Sequence, residues 1–289
     1  MNRLDEIREN ISNCDDLIIE QLIARMNYIK DIIDYKKETG IPILQPDQEK
    51  KQRMALIGKL ENHEFESEIL DIFSNITKNS RKIQSKSLFN YNVFLVGFMG
   101  AGKTTIAQGL SELLEMERIE MDQVIAEKQG MSIPEIFEEY GETYFRNLES
   151  NALIEMQKRN QAVISCGGGV VVRADNADHM KKHGRVVLLT AEPETIYFRV
   201  KDSDERPILN NNMNVDYIGE LMDKRWEKYQ SVADVAVQTD QRDVVDICQE
   251  IISKLIALDK ADAEAVKKEA EKNTSVHTSE DTNKSGSKE

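Results

Sequence analysis

Cysteine, long apolar runs and surplus positive charge are scarce or absent in this 289-residue sequence, and each shortage excludes a class of protein. The three cysteines, Cys14, Cys166 and Cys248, are scattered without metal-ligand spacing, which predicts reduced thiols and no disulfide framework. No apolar run could span a bilayer and the first ten residues are charged, so we expect no membrane span, no secretory signal and a cytoplasmic location. The formal net charge of −14 disfavours a nucleic-acid partner, because it would repel a phosphate backbone.

Residues 92–105, NVFLVGFMGAGKTT, carry the most specific motif that is present. An apolar run at 93–96 leads into GFMGAGKT, which fits the G-x-x-x-x-G-K-[ST] spacing of a phosphate-binding loop between a strand and a helix. The glycines let backbone N–H groups point at an anion, and the positive end of the following helix faces the same place. Lys103 adds a charge for the outer phosphates, and Thr104 offers a hydroxyl to Mg²⁺. The motif therefore predicts binding of a nucleoside triphosphate.

The first 90 residues have the periodicity of helices. Apolar residues recur at three- and four-residue steps up to about residue 38, and two further helical stretches follow at about 47–60 and 66–85. Three helices predict a small all-α unit. Because a helix as long as the first is stable only when it packs on others, we expect it to pair with a second copy in a homodimer.

Three cations, Arg8, Arg25 and Lys36, share one face of the first helix at about 100° per residue. Arg25 and Lys36 would lie about 16 Å apart, close enough to converge on one small ligand, whereas Arg8 would lie a further ~25 Å away. Arg8 can therefore join such a site only if another chain supplies it.

The run IRENIS at 7–12, followed by Arg25, Lys36, Glu49, Ser80 and Gln84, resembles the all-helical chorismate mutases over residues 1–88. The resemblance implies an intertwined dimer that rearranges chorismate to prephenate without a nucleophile, by holding a compact conformer and stabilising charge on the ether oxygen. It also implies the roles of the residues.

By this resemblance, Arg25 and the partner chain's copy of Arg8 grip the substrate carboxylates, and Lys36 with Gln84 donates to the ether oxygen. Glu49 accepts from the ring hydroxyl, and Ser80 lies one turn before Gln84. The sequence departs from the family at Gln45 and Gln48, where an aspartate and an arginine are common. A helical domain that serves only dimerisation or regulation is therefore the alternative.

After a linker at about 85–91, short apolar runs alternate with helical stretches. The runs lie at 93–96, 118–121, 162–165, 186–189 and 235–238. This pattern predicts an α/β domain with a five-stranded parallel sheet covered on both faces. Ligands of such sheets bind at the carboxyl ends of the strands. The distinctive polar residues and glycines follow several of these runs: Glu120, Asp122, the GETYFR run ending in Arg146, the CGGG run at 166–169, Arg206 and Arg225.

As a set, these residues resemble shikimate kinase over about 92–255. The resemblance implies transfer of the γ-phosphate of ATP to the 3-hydroxyl of shikimate. ATP would be bound by Gly100, Ala101, Gly102, Lys103, Thr104, Thr105, Arg199 and Arg206, with Arg199 over the adenine. Mg²⁺ would be held directly by Thr104 and through water by Glu120, which stands where an aspartate is usual.

On the acceptor side, the resemblance implies that Asp122 binds and deprotonates the attacking hydroxyl. Arg146 and Arg225 would clamp the shikimate carboxylate, because a guanidinium fork suits that group. Gly168 would contact the ring, and Arg206 would close with a lid and neutralise the moving phosphoryl group. A related kinase of another hydroxy acid, such as gluconate, is the further alternative, and the triple glycine and the spacing of the arginines count against it.

The chain thus divides into a helical domain at 1–88, a kinase-like domain at 89–258 and a tail at 259–289. The tail has almost no large apolar residues and is rich in Lys, Glu, Ser and Thr, which predicts disorder.

Overall fold

The computed structural model describes residues 2–39, 46–156, 158–201 and 214–283. Its first unit consists of α1 (Arg3–Thr39), α2 (Pro46–Leu60) and α3 (Glu66–Leu88). The three predicted helices are confirmed, but α3 continues through most of the predicted linker. Ser85 is buried within this last turn and its carbonyl accepts from the N–H of Phe89, which ends the helix.

The second unit is a parallel five-stranded sheet with helices on both faces, as predicted. Its strands run in the spatial order β2-β3-β1-β4-β5. The elements are β1 (Asn92–Val96), α4 (Lys103–Leu114), β2 (Glu117–Glu120), α5 (Met121–Gln129), α6 (Ile133–Met156), β3 (Ala162–Ser165), α7 (Ala174–His183), β4 (Gly184–Thr190), α8 (Pro193–Val200), α9 (Val215–Val232), β5 (Val235–Gln238) and α10 (Val244–Asn283).

The alternation of side chains along β1 divides the hydrophobic core between the two faces of this sheet. Val93 and Leu95 belong to one cluster, which includes residues of α4 and α10. Phe94 and Val96 belong to the other, which includes residues of α5, α6 and α7. All five β1 residues are buried, so the central strand fixes where the phosphate-binding loop begins.

The helical unit buries much less of its apolar surface. Ile33 is the one fully buried apolar side chain among the described residues of α1. The large apolar side chains of the first half of α1 are mostly solvent-exposed: Leu4, Ile7, Ile11, Leu17, Ile18 and Ile19. The predicted apolar periodicity of α1 is therefore present, and the described residues of the chain leave these side chains uncovered.

The two units contact each other where α3 leads into β1. Phe89 is a buried member of the core of the second unit, and Leu88 packs against that core. The hydroxyl of Tyr91 donates to Asp259 of α10, and Arg185 donates to the same carboxylate. The end of the helical unit is thus anchored to the second unit and to its last helix.

After residue 258 the described chain continues as a helix. α10 extends to Asn283, and two of its acidic residues, Asp259 and Asp262, pair with Arg185. The physical reason is composition, because ADAEAVKKEAEK consists mostly of strong helix formers that need no core. No helix in the described part of the chain has the length and apolarity needed to cross a membrane.

Candidate active sites

The phosphate-binding loop turns at three glycines with positive φ. Gly97, Gly100 and Gly102 have φ values of 145°, 77° and 94°. A Cβ at Gly97 would lie 2.3 Å from the carbonyl oxygen of Leu189, and one at Gly100 would lie 2.7 Å from Val200. These positions require glycine both for conformation and for space. They bring the loop to the first turn of α4, where backbone N–H groups can bind an anion.

Lys103 and Thr104, the first residues of α4, face different partners. Lys103 Nζ donates to the carbonyl oxygens of Gly97 and Phe98 at 2.9 and 3.0 Å, which holds the ammonium group within the loop. Thr104 Oγ1 donates to Glu120 Oε2 at 3.1 Å. Glu120 Oε1 is buried and accepts no hydrogen bond from the described residues. Oxygen ligands of this kind suit Mg²⁺, which commonly binds one or two protein groups together with water and phosphate.

Arg146 is buried between two carboxylates on the other side of the glycine run. It donates to Glu149 Oε2 at 2.5 Å and to Glu142 Oε1 at 2.8 Å. The pKa of Glu149 is raised to about 7, chiefly because the carboxyl group is buried and to a smaller extent because Asp122 is near, although Arg146 opposes both effects. Glu149, three residues after Arg146 on the same helix, therefore holds the guanidinium in place.

The glycine run at 166–169 lies directly against these charged side chains. A Cβ at Gly167 would lie 2.5 Å from Glu149 Oε1 and 2.7 Å from Asp122 Oδ1, and one at Gly169 would lie 1.9 Å from Arg146 Nη1. Asp122 itself is the second residue of α5, which begins at Met121. Only residues without side chains leave room for this cluster of acid and guanidinium groups.

Arg225 approaches the same region from α9. Its Nη1 lies 3.5 Å from the carbonyl oxygen of Gly168, and its guanidinium lies over the ring of Phe98. Tyr229, one turn later, donates its hydroxyl to the same carbonyl. Arg225 and Arg146 are thus both brought to the glycine run, from separate helices. Arg206, the third arginine of the prediction, lies outside the described residues.

A cavity of about 990 Å³ joins the loop to the acidic side chains. It is lined by residues from both groups, among them Gly100, Lys103, Thr104, Glu120, Asp122 and Gly168. This volume matches that of a ligand pocket of the larger kind. The described residues therefore place a phosphate-binding loop and an acid group on one continuous cavity.

Thr239 is a residue of this cavity that the sequence analysis missed. Its hydroxyl donates to the carbonyl oxygen of Ala101 at 3.0 Å, and its carbonyl accepts from Arg199 Nη2 at 2.9 Å. Arg199 Nη1 also donates to the carbonyl oxygen of Gly100. The pair ties the phosphate loop to the end of β5. Its position immediately after a parallel strand was the available signal.

The predicted residues of the helical unit form a second, more open group. Arg25 donates to the hydroxyl of Ser80, which is buried on α3. Burial lowers the pKa of Lys36, and the nearby negative charge of Glu49 opposes that shift. Gln84 lies one turn after Ser80 and is half-buried. α1, α2 and α3 each contribute to this group.

Arg8 does not join this group within one chain. Its side chain is 70% exposed and its ion-pair partner is Asp5, 3.9 Å away on the same helix. Seventeen residues of helix separate it from Arg25, about 25 Å along the axis. Gln48 is exposed, and Gln45 lies outside the described residues.

The loop, cavity and sheet together define a P-loop enzyme that transfers a phosphoryl group to a small acceptor. A family model for shikimate kinase matches residues 99–256, more than half of the chain. The chain therefore belongs to the shikimate kinase family. A second family model, chorismate mutase type II, matches residues 7–85, so the helical unit is a chorismate mutase domain of that type.

Individual relatives resemble the second unit alone. The shikimate kinase of Sulfurihydrogenibium sp. is 37% identical over 164 residues, which are 57% of this chain and 97% of that protein. The shikimate kinase of Enterococcus faecalis is 39% identical over 166 residues, 57% of this chain and 98% of that protein. A structure of shikimate kinase from Acinetobacter baumannii in complex with shikimate has a TM-score of 0.58 and 35% identity, covering 60% of this chain and 97% of that one.

Proposed function

We propose that this chain is a bifunctional enzyme of aromatic amino acid biosynthesis, which phosphorylates shikimate with ATP and rearranges chorismate to prephenate. The kinase is supported most directly by one cavity that contains the phosphate-binding loop and Asp122 and lies beside the buried Arg146. The helical domain of 1–88 would carry the mutase and the domain of 89–258 the kinase, with 259–289 outside both.

In the kinase, the proposed roles are those that the resemblance to shikimate kinase implies, and the charge and position of the described residues support them. Asp122 binds the attacking 3-hydroxyl and accepts its proton, while Arg146 and Arg225 bind the shikimate carboxylate and Gly168 contacts the ring. The loop residues Gly100, Ala101, Gly102, Lys103, Thr104 and Thr105 bind the phosphates, together with Arg199 and Arg206. Catalysis here consists of positioning and charge stabilisation, because phosphoryl transfer needs no covalent step from the protein.

Magnesium is proposed to be bound by Thr104 and, through water, by Glu120. The buried Glu120 Oε1, which has no hydrogen bond from the described residues, fits a hydrated cation. When bound, Mg²⁺ would neutralise charge on the phosphate oxygens. Glutamate has one methylene more than the aspartate that is usual at this position. We expect this difference to affect metal affinity more than any other property.

In the mutase, the proposed site binds a dicarboxylate and stabilises a developing oxyanion. Arg25 binds one carboxylate, Lys36 and Gln84 donate to the ether oxygen, and Glu49 accepts from the ring hydroxyl. Ser80 orients Arg25, whose guanidinium donates to its hydroxyl. A cation placed against a charge that grows in the transition state lowers the barrier without any proton transfer.

A homodimer formed through the helical domain is part of this proposal. The exposed apolar side chains of α1 need a cover, and patches of this kind mark interaction surfaces. A second copy related by a two-fold axis would cover the patch and could also supply Arg8 to the site that contains Arg25. The substrates, a shikimate-type acid, ATP and chorismate, are small anions that local cations can bind despite the chain's net charge of −14.

The alternative is an active kinase with a helical domain that only dimerises the chain or senses a ligand. The neutral and exposed Gln48 favours it, because it brings no charge to the site. The retained Arg25, Lys36 and Glu49 favour the mutase.

One experiment separates these two functions. Purified protein is assayed for conversion of chorismate to prephenate and for ATP-dependent phosphorylation of shikimate, as parent, as Glu49→Ala and as the control Glu68→Ala, an exposed carboxylate of α3. We expect Glu49→Ala to abolish mutase turnover and to leave the kinase intact, and Glu68→Ala to change neither. Parent protein that phosphorylates shikimate but does not convert chorismate would establish the alternative.

A further inference from the structure

Arg81 lies between the two proposed active sites. It directly follows Ser80 on α3 and is three residues before Gln84, so it belongs to the face of α3 that borders the mutase site. Its Nε lies 3.9 Å from Glu49 Oε2, and its Nη2 lies 3.4 Å from Glu115 Oε1 in the kinase unit. The sequence patterns that identify the two sites do not include this residue.

The kinase partners of Arg81 lie at the C-terminal end of the phosphate-loop helix. Arg81 Nη1 donates to the carbonyl oxygen of Glu112, in the last turn of α4, and Glu115 is the residue that ends this helix in a left-handed conformation. A helix C-terminus presents free carbonyl oxygens and the negative end of the dipole, so a cation is favourable there. The other end of α4, about 18 Å away, begins at Lys103. Arg81 is therefore attached to the far end of the helix that binds phosphate.

The mutase-side contact of Arg81 is incomplete. Its Nε is buried and makes no hydrogen bond with the described residues, and 3.9 Å is too long for one to Glu49. The charge of Glu49 also opposes the lowering of the pKa of Lys36 by burial, so this carboxylate interacts electrostatically with two cations. When a ligand hydroxyl donates to Glu49, the balance between these three charged groups must change, and Arg81 is the member that also contacts α4.

We propose that Arg81 couples the two active sites, by positioning both Glu49 and the C-terminal end of the phosphate-loop helix, so that a dicarboxylate at the mutase site changes the affinity of the kinase site for nucleotide. The inference rests on the mutase function proposed above. Its basis is one guanidinium that contacts a carboxylate of one site and the supporting helix of the other. A group with two sets of partners is able to transmit a change at either one.

The test measures binding at each site with the other site occupied, in the full-length chain. The Kd of a non-hydrolysable ATP analogue with Mg²⁺ is measured by calorimetry with and without a saturating bicyclic dicarboxylate that mimics the mutase transition state. The Kd of the dicarboxylate is then measured with and without the nucleotide. We expect both Kd values to change by the same factor, about threefold to tenfold, because coupling between two binding sites is reciprocal.

Two variants and a control connect this factor to Arg81. Arg81→Gln removes the charge, and Glu115→Gln removes the charged kinase-side partner while the contact with the Glu112 carbonyl stays. Arg81→Gln should reduce the coupling factor to one. Glu115→Gln should bring it clearly below the parent value and leave chorismate turnover near that of the parent. The control is Lys82→Gln, the exposed neighbouring cation on α3, which should keep the parent factor.

The outcomes are distinguishable. The inference would be overturned if the parent binds both ligands with a coupling factor of one, or if Glu115→Gln keeps the parent coupling factor. In either case, chorismate turnover by the parent would still support the mutase function. A parent that neither binds the dicarboxylate nor converts chorismate would refute the mutase function, and the inference with it. If Arg81→Gln does not fold, the coupling factor of Glu115→Gln is the test of the inference.

Discussion

The kinase site and the mutase site of this chain differ in how much of each one polypeptide supplies. In the kinase unit, Arg146 and Glu149 are buried on one helix, and the glycine run is packed against them. In the helical unit, Arg25 donates a hydrogen bond to Ser80, but the side chain of Arg8 is 70% exposed to solvent. A doubly wound sheet encloses a site within one chain, whereas a three-helix unit with an exposed apolar stripe depends on a second copy.

The largest effect is expected where the kinase site is most enclosed. Arg146→Ala should lower kcat/KM for shikimate by about 10³-fold, because it removes a buried guanidinium clamp for the substrate carboxylate and leaves the buried Glu149 without its hydrogen-bond donor. The affinity for ATP should stay near that of the parent, since Arg146 does not contact the phosphate loop. Steady-state kinetics with shikimate varied, beside nucleotide titrations, measure both quantities.

The matched control for Arg146 is Arg159→Ala, a surface arginine whose side chain is 60% exposed. It should behave like the parent in both assays. Shikimate turnover by Arg146→Ala near the parent level would mean that the carboxylate clamp lies elsewhere, and the contrast between an enclosed and an open site would lose its main support.

The next effect tests the open site. Arg8→Ala and Arg25→Ala proteins should each be inactive as mutases, yet an equimolar mixture allowed to exchange subunits should recover about a quarter of the parent activity. Half of the dimers would then be mixed, and one of the two sites in each mixed dimer would contain both arginines. Chorismate turnover before and after exchange measures the recovery.

Two Arg25→Ala preparations mixed with each other provide the background for that experiment. Subunit exchange is followed independently with two differently tagged chains. Full exchange without recovery would show that Arg8 and Arg25 do not serve one shared site, and the helical unit would then be as self-contained as the kinase.

The same contrast explains what could be predicted from the sequence. The five strands are encoded by local apolar runs and the phosphate loop by a fixed motif. Their positions could therefore be predicted to within one or two residues. The convergence of Arg146, Glu149 and Asp122 on the glycine run followed from the rule that sites lie at strand ends. The same rule could have pointed to Thr239, which directly follows β5. Arg81 could not be found in this way, because it acts through contacts between elements far apart in sequence.

The helical extension after residue 258 could not be predicted from composition for a related reason. Low apolar content indicates that a segment cannot fold as a core, but it does not exclude a helix rich in alanine, glutamate and lysine. α10 continues past the core, and the pairing of Arg185 with Asp259 and Asp262 joins the start of this extension to β4. The amino-acid composition of the tail does not predict such a contact.

Burial of the kinase site should also make its stability depend on pH. Because the pKa of Glu149 is raised from 4.5 to about 7, the folded state favours its protonated form. The associated stability is complete below pH 4.5 and is lost as the pH rises through 7. We expect the free energy of unfolding of the kinase unit to fall by about 1–3 kcal/mol across this window.

Urea unfolding of the parent and of Glu149→Gln between pH 5 and 8 measures this dependence, with the fluorescence of Trp226, the single tryptophan, reporting on the kinase unit. The variant should show a flatter profile. Glu142→Gln, which removes the exposed carboxylate partner of the same arginine, is the control and should keep the parent slope. Equal slopes in all three proteins would exclude Glu149 as the titrating group.

The smallest effects compare two helix glycines, one in each unit. A Cβ at Gly109 in α4 would lie 2.8 Å from Val244 and 2.9 Å from Cys248, whereas a Cβ at Gly58 in α2 meets nothing within 4 Å. Gly109→Ala should therefore cost about 1–3 kcal/mol through overpacking. Gly58→Ala should add about 0.5–1 kcal/mol, because alanine loses less backbone entropy in a helix. Urea unfolding measures both changes, and a loss at Gly58→Ala would mean that a second copy covers α2 as well as α1.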